Sequence, residues 1–304
     1  MRSWWKKALG IAVAAIILIF IVRNLVSGLR DLGSLDIRVS TWRIVGAFAI
    51  LAVVFSAYGR IWQFILGRLG YGIGFGRSMR IWFLSQAGRY VPGKVWFALG
   101  RIYLCERAGV PRAIATVAMG LELVLVLGSA IVVFGLATAA SPGLAREEYM
   151  WGLWLVPLIV VGVHPRIIRA VLVRLKREPG DFSLAYADTL KMLGLYVVCW
   201  CIYGLGFYLI GTSVELEGVS PAFRSAGIRL LPEMVGINAV SWAGGLLSVI
   251  TPAGLGVREG ISGMLLSGII DKPYPALIPL VARIWVTVAE LGTLGLVFAV
   301  KGLR

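Results

Sequence analysis

Residues Ala113–Ala140 read AIATVAMGLELVLVLGSAIVVFGLATAA, with Glu122 the one charged side chain among them. This stretch decides the fold class. At about 1.5 Å of rise per residue, a helix of that length spans the ~30 Å hydrocarbon core of a bilayer. Similar apolar runs lie on either side of it. They cover Trp42–Leu66, Tyr149–Val163, Leu190–Thr212, Leu231–Ile250 and Ala276–Val300. The run Tyr149–Val163 is the shortest of these and contains Pro157. An earlier run, Ala8–Val22, follows Arg2, Lys6 and Lys7 and resembles a signal peptide. No convincing small-residue cleavage site follows it before Arg23, Arg30 and Asp31, so it reads as a retained first helix.

Composition agrees with these runs. Hydrophobic residues make up 59% of the 304 residues, charged residues 15%, and the mean hydropathy is +0.87. Soluble domains carry about 45–50% apolar and about 25% charged residues, and disordered chains need low hydrophobicity. Both classes are excluded. The net charge of +15 comes mostly from arginines between the apolar runs. Such arginines meet anionic lipid headgroups, so the charge does not imply nucleic acid. The longest polar stretch, about residues 164–189, is too short for a soluble domain. The expected architecture is all-α: one integral membrane domain over 1–304, a helical bundle of about seven to eight transmembrane helices.

Two apolar segments are interrupted. Met79–Leu99 contains Arg89-Tyr90-Val91-Pro92-Gly93-Lys94, and Thr251–Ile270 opens with Thr251-Pro252-Ala253-Gly254-Leu255-Gly256-Val257-Arg258-Glu259-Gly260. Proline and glycine there stop a helix, and non-helical backbone at membrane depth survives only inside protein or beside a wet cavity. Paired interruptions in the two halves of a chain are a sequence pointer to a transporter's midplane site. They suggest an inverted repeat of two broken or re-entrant segments.

Basic residues set the expected orientation. Three precede residue 8, eight fall in 67–112 and six in 164–191, against four, one and two in the alternate stretches. Positive residues stay inside, so a cytoplasmic N-terminus in the plasma membrane is expected. Lys301 and Arg304 place the C-terminus on the same side.

Charges within apolar runs are costly, about 2.5–3.5 kcal/mol at the membrane centre, and normally face the bundle interior with a partner. Arg60, Glu122, Arg283 and Glu290 are the ones here. Arg283 and Glu290 are seven residues apart, close to two turns, and so share a face. Two readings stay open: a pairing network that fixes helix packing, or the lining of a polar path, with Arg60 also able to snorkel to the surface. The interrupted segments add anion chemistry. Helix N-termini present free N–H groups and partial positive charge, and glycine lets a ligand approach the backbone. Arg89, Pro92, Gly93 and Lys94 in one segment, and Pro252, Gly254, Gly256, Arg258 and Glu259 in the other, are therefore candidate anion-binding residues.

Catalytic and metal signals are weak. Cys105, Cys199 and Cys201 show no disulfide or zinc spacing, and His164 is the sole histidine. No enzyme activity, cofactor or metal is expected.

The stretches Arg89–Trp96 and Pro252–Gly260 resemble the two signature stretches of the flippase-like family named for the membrane region of lysylphosphatidylglycerol synthase. Glu122 and Arg283 match further charged positions of that family. Leu123, Val126 and Ala253 depart from its pattern. The resemblance implies movement of an anionic phospholipid or polyprenyl-phosphate-linked headgroup between leaflets. Its partners would be an anionic lipid or lipid-linked substrate and the membrane, with no nucleic acid. It covers the membrane part of the family alone, so synthesis of an aminoacyl lipid is not implied. The competing readings are an accessory or scaffold subunit of a lipid or glycolipid synthesis pathway, and an intramembrane lipid-modifying enzyme.

Overall fold

A computed structural model describes residues 37–90, 95–145, 149–167, 184–216, 227–248 and 251–299. The run Ala8–Val22 and the terminal Lys301 and Arg304 lie outside these residues. The described chain is helical, and five of its helices are long and apolar enough to cross a membrane.

The long apolar runs become α1 (Thr41–Arg68), α4 (Arg112–Ala140), α6 (Tyr186–Ser213), α7 (Leu231–Leu247) and α9 (Tyr274–Ala299). A 3-10 turn, Gly227–Leu230, leads into α7, and Pro232 at its start suits a first turn where the N–H has no intrahelical partner. The run holding Pro157 becomes α5 (Trp151–Gly162). Its 12 residues span only about 18 Å at 1.5 Å per residue. It is therefore shorter than a membrane crossing, which corrects its reading as a full span.

The interrupted segments are broken helices. The first is α2 (Phe75–Gln86), a 3-10 turn at Ala87–Tyr90, and α3 (Val95–Arg107). The second is the end of α7, a 3-10 turn at Pro252–Gly254, and α8 (Val257–Ser267). The two 3-10 turns pack against each other. In the second, Ala253 (φ 49°) and Gly254 (φ 72°) are left-handed in succession. A Cβ at Gly254 would also stand 2.8 Å from the Gly245 backbone, so that position demands glycine twice over.

Helix α6 is the axle of the bundle, packing on α1, α4, α7 and α9. Its Tyr196, Trp200 and Tyr203 are buried. Trp200 Nε1 donates to Ser129 Oγ on α4 at 3.0 Å, as a buried indole requires. Between apolar helices in lipid, small residues let backbones approach. A Cβ at Gly204 would lie 2.5 Å from Val235 Cα on α7, and one at Gly236 2.5 Å from Ala137 Cβ on α4.

One element departs from all-α. Strands β1 (Ile37–Val39) and β2 (Val214–Leu216) pair antiparallel, Arg38 opposite Glu215. They join the start of α1 to the end of α6, and Arg43 reinforces the clip through Thr212 O and Glu215. Three-residue strands are too short to show a period of two.

Gly204→Ala is expected to destabilise the bundle by about 1–3 kcal/mol through overpacking. Gly194→Ala, with open space around it, should not. Thermal melts of the purified variants in one detergent check this, and an unchanged Gly204→Ala midpoint would refute the close α6–α7 packing.

Candidate functional site

The charges meet where the broken helices meet. Arg101 on α3 is fully buried. Its guanidinium lies 4.7 Å from the Trp62 ring and 4.6 Å from the Phe97 ring. Nε donates to Ser85 Oγ at 2.9 Å, and Nη1 donates to Glu122 Oε2. Trp82 Nε1 donates to the other Glu122 oxygen at 3.1 Å. Glu122, the eleventh of the 29 residues of α4, thus has both carboxylate oxygens engaged, and Arg101 is its counter-charge.

Helix α9 carries the next two charges, two turns apart on one face. Glu290 accepts a hydrogen bond from Tyr90 OH and stands 3.8 Å from Arg89 Nη1. Arg89 also donates to Gln86 Oε1 at 3.0 Å and lies over the Trp242 ring. Glu290 therefore holds the first 3-10 turn. Arg283 holds the second: its Nη1 donates to Ala253 O at 3.1 Å, and its Nε lies 3.8 Å from Glu259 Oε1.

Glu259 works mainly on its own helix. Its Oε2 accepts the Gly256 N–H at 2.7 Å, placing a carboxylate at the positive end of α8, where it is favourable. Arg258, its neighbour, extends the other way. Its guanidinium lies near the Tyr203 hydroxyl, and its stem lies against Gly245, where a Cβ would come within 2.1 Å of Arg258 Cγ.

Arg89, Arg101, Glu122, Arg258 and Glu290 line one cavity of about 480 Å³, together with Tyr58, Tyr196, Tyr203 and Trp242. Ala253 of the second 3-10 turn lies on the same wall. The remaining wall is largely apolar, with Phe55, Phe97, Met119, Leu123 and Leu247 beside Gln86. Leu123 is 45% exposed and Leu247 63%, so the apolar side reaches the outer surface of the bundle. The cavity therefore combines ionic groups with an apolar wall that includes exposed side chains.

The structure does not bring all the expected residues together. Arg60 stands apart: exposed on α1, it donates to Gln63 Oε1 at 2.8 Å and lies over the Phe75 ring. Its surface depression is shared with Arg68, away from Glu122, Arg283 and Glu290. Those three do not pair with one another, since each has a partner on a different element. Glu259 and Arg283 line a smaller void beside the main cavity. Pro92, Gly93 and Lys94 lie outside the described residues. Pro252, Gly254 and Gly256 supply the backbone of the second turn. Arg101 was hidden in sequence among the eight basic residues of 67–112. Its signal is the apolar setting, Phe97-Ala98-Leu99-Gly100 before it and Ile102-Tyr103-Leu104 after. His164 accepts the Arg166 N–H at 3.1 Å and packs against Tyr186, away from the cavity. Among the described residues, no group of three or more His, Cys, Asp or Glu side chains is placed to hold a metal ion.

No family model matches the chain, and no curated protein matches it.

Removing one member of a buried ion pair strands the other charge at a cost of about 3–5 kcal/mol, whereas replacing both with apolar groups can be neutral. Arg101→Leu and Glu122→Leu are each expected to lower the melting midpoint sharply, and the double variant to recover most of the loss. A double variant as unstable as the sum of the singles would contradict the pairing.

Proposed function

We propose that this protein moves an anionic phospholipid or a polyprenyl-phosphate-linked headgroup between the leaflets of a membrane. One observation carries the reading: the cavity joins guanidinium and carboxylate groups to a largely apolar wall that includes the exposed Leu123 and Leu247, the mixed character of a lipid. Phosphate would meet guanidinium groups there, and acyl or prenyl carbon would leave along Leu123 and Leu247.

The charge balance favours an anion. Three arginines line the cavity against two glutamates. They are not equally available. Arg101 is consumed by Glu122, Ser85 and three rings. Arg258 lies near the Tyr203 hydroxyl, with the Glu259 and Glu290 carboxylates acting on it from farther off, and Arg89 stands 3.8 Å from Glu290, beyond hydrogen-bond reach. These two guanidiniums can exchange their present contacts for phosphate oxygens, which suit their planar donor fork.

The broken helices fit this role. Helices α2 and α3 have 12 and 13 residues, each about 18–20 Å long at 1.5 Å per residue. That is too short to cross, and it suits a re-entrant hairpin that dips in and returns. The α7–α8 unit forms its counterpart in the other half of the chain, an inverted repeat with its turn against the first. With the retained first helix expected at Ala8–Val22, the five long helices would make six full passes within one membrane domain, short of the seven to eight expected, because α5 is too short to cross and the α2–α3 hairpin returns to its own side. The count of basic residues favours a cytoplasmic N-terminus, in the plasma membrane. The resemblance of Arg89–Trp96 and Pro252–Gly260 to the lysylphosphatidylglycerol synthase membrane region points the same way.

Arg258→Ala and Arg89→Ala are each expected to slow translocation of a fluorescent anionic phospholipid at least tenfold in reconstituted vesicles, with folded protein still recovered. Arg112→Ala, whose side chain is 71% exposed and pairs with Glu106, should keep the wild-type rate. Wild-type rates in both cavity variants would sink the assignment. Release of a labelled headgroup by the purified protein would replace it with an enzymatic one.

A further inference from the structure

Beside the main cavity lies a second, much smaller void of about 30 Å³ between α7, α8 and α9. Such a volume takes one water-sized species. Its walls are rich in hydrogen-bond donors. Asn238 and Ser241, one turn apart on α7, and Arg283 and Trp285 on α9 all line it. Each is more than nine-tenths buried. Asn238 Nδ2, Ser241 Oγ, Arg283 Nε, Arg283 Nη2 and Trp285 Nε1 have no hydrogen-bond partner among the described residues. A buried donor without a partner costs about 1–3 kcal/mol, and more when charged. All five belong to residues that line this one small void, where a shared acceptor would answer them.

The charge of the wall selects the acceptor. Arg258 and Arg283 face the void with a single carboxylate, Glu259, and one oxygen of that carboxylate is engaged by the Gly256 N–H. The surplus is positive. A cation would be repelled and would leave the donors unmatched. A water molecule accepts two hydrogen bonds and must place two protons of its own. A monatomic anion accepts from every side and carries the opposite charge.

We infer that this void is a binding site for a single dehydrated halide, of the size and class of chloride, held by Asn238, Ser241, Arg283 and Trp285. Bound there, the ion neutralises the free side of Arg283, the residue that holds Ala253 O in the second 3-10 turn. It also lies behind Arg258, which lines both spaces. The site rests on its own residues and needs no lipid, so it stands or falls apart from the transport reading.

The test uses the purified full chain in nanodiscs, at constant ionic strength, with sodium chloride, bromide or gluconate as the salt. Chloride and bromide are expected to raise the melting midpoint saturably and gluconate not to. Ser241→Ala and Asn238→Asp, neither in the main cavity, should weaken the halide response about tenfold, the effect of one lost charged hydrogen bond. Bromide anomalous scattering from the wild-type protein should give a peak between Ser241 and Arg283, a readout that needs no variant to fold. Equal midpoints in chloride and gluconate overturn the site, as does a bromide-saturated crystal without that peak, which leaves water as the occupant. A halide response undiminished in both variants also overturns it, because the ion then binds elsewhere.

Discussion

Helix α9 carries two charges on one face, and the rest of the structure is arranged around what they hold. Glu290 takes the first 3-10 turn through Tyr90 and Arg89, and Arg283 takes the second through Ala253 O and Glu259. A broken helix leaves backbone groups without intrahelical partners, and hydrocarbon offers none. The two turns can meet inside the bundle because α9 supplies side chains that complete them. Seven residues of spacing put both charges on one side of the helix, so the turns are brought to the same place.

The cavity follows from that junction. Helices that end short of one another leave space, and arginines stand at both breaks, Arg89 on the first turn and Arg258 at the start of α8. The deep Arg101–Glu122 pair does a different job from the arginines at the turns. Desolvating two charges offsets most of what their attraction returns, so the pair adds little net stability. It sets the relation of α3 to α4 by requiring Ser85, Trp82 and the surrounding rings in position. Arg89 and Arg258 keep looser contacts on the same wall. The wall thus combines a fixed ion pair with two guanidiniums in looser contacts.

Much of the fold was legible along the chain. The run Ala113–Ala140 became α4 with one residue added at its start, and Trp42–Leu66 extended by one residue at one end and two at the other. Long apolar runs are legible because a lipid-exposed helix must be apolar along its whole length. The breaks were legible through Pro and Gly, which act locally. The clip between Ile37–Val39 and Val214–Leu216 was not. It joins segments far apart in sequence, and each strand is too short to show a period. The site was legible in part. Glu122, Arg283 and Glu290 stood out as charges in apolar surroundings, but their partners did not. Arg101 was masked by neighbouring basic residues, and Arg60 lies on another face.

The amino-acid sequence by itself determined the solvent of this protein, the position of its long helices and the two places where helices break. Each of these depends on properties of residues near one another in the chain: hydropathy over a helix length, or the backbone limits of proline and glycine. Which charge meets which was decided only by the tertiary structure. Glu122 with Arg101, Glu290 with Tyr90 and Arg283 with Ala253 O are pairings between separate helices. Coulomb attraction and hydrogen bonding act over a few ångströms of space, and packing around α6 decides which residues share that space.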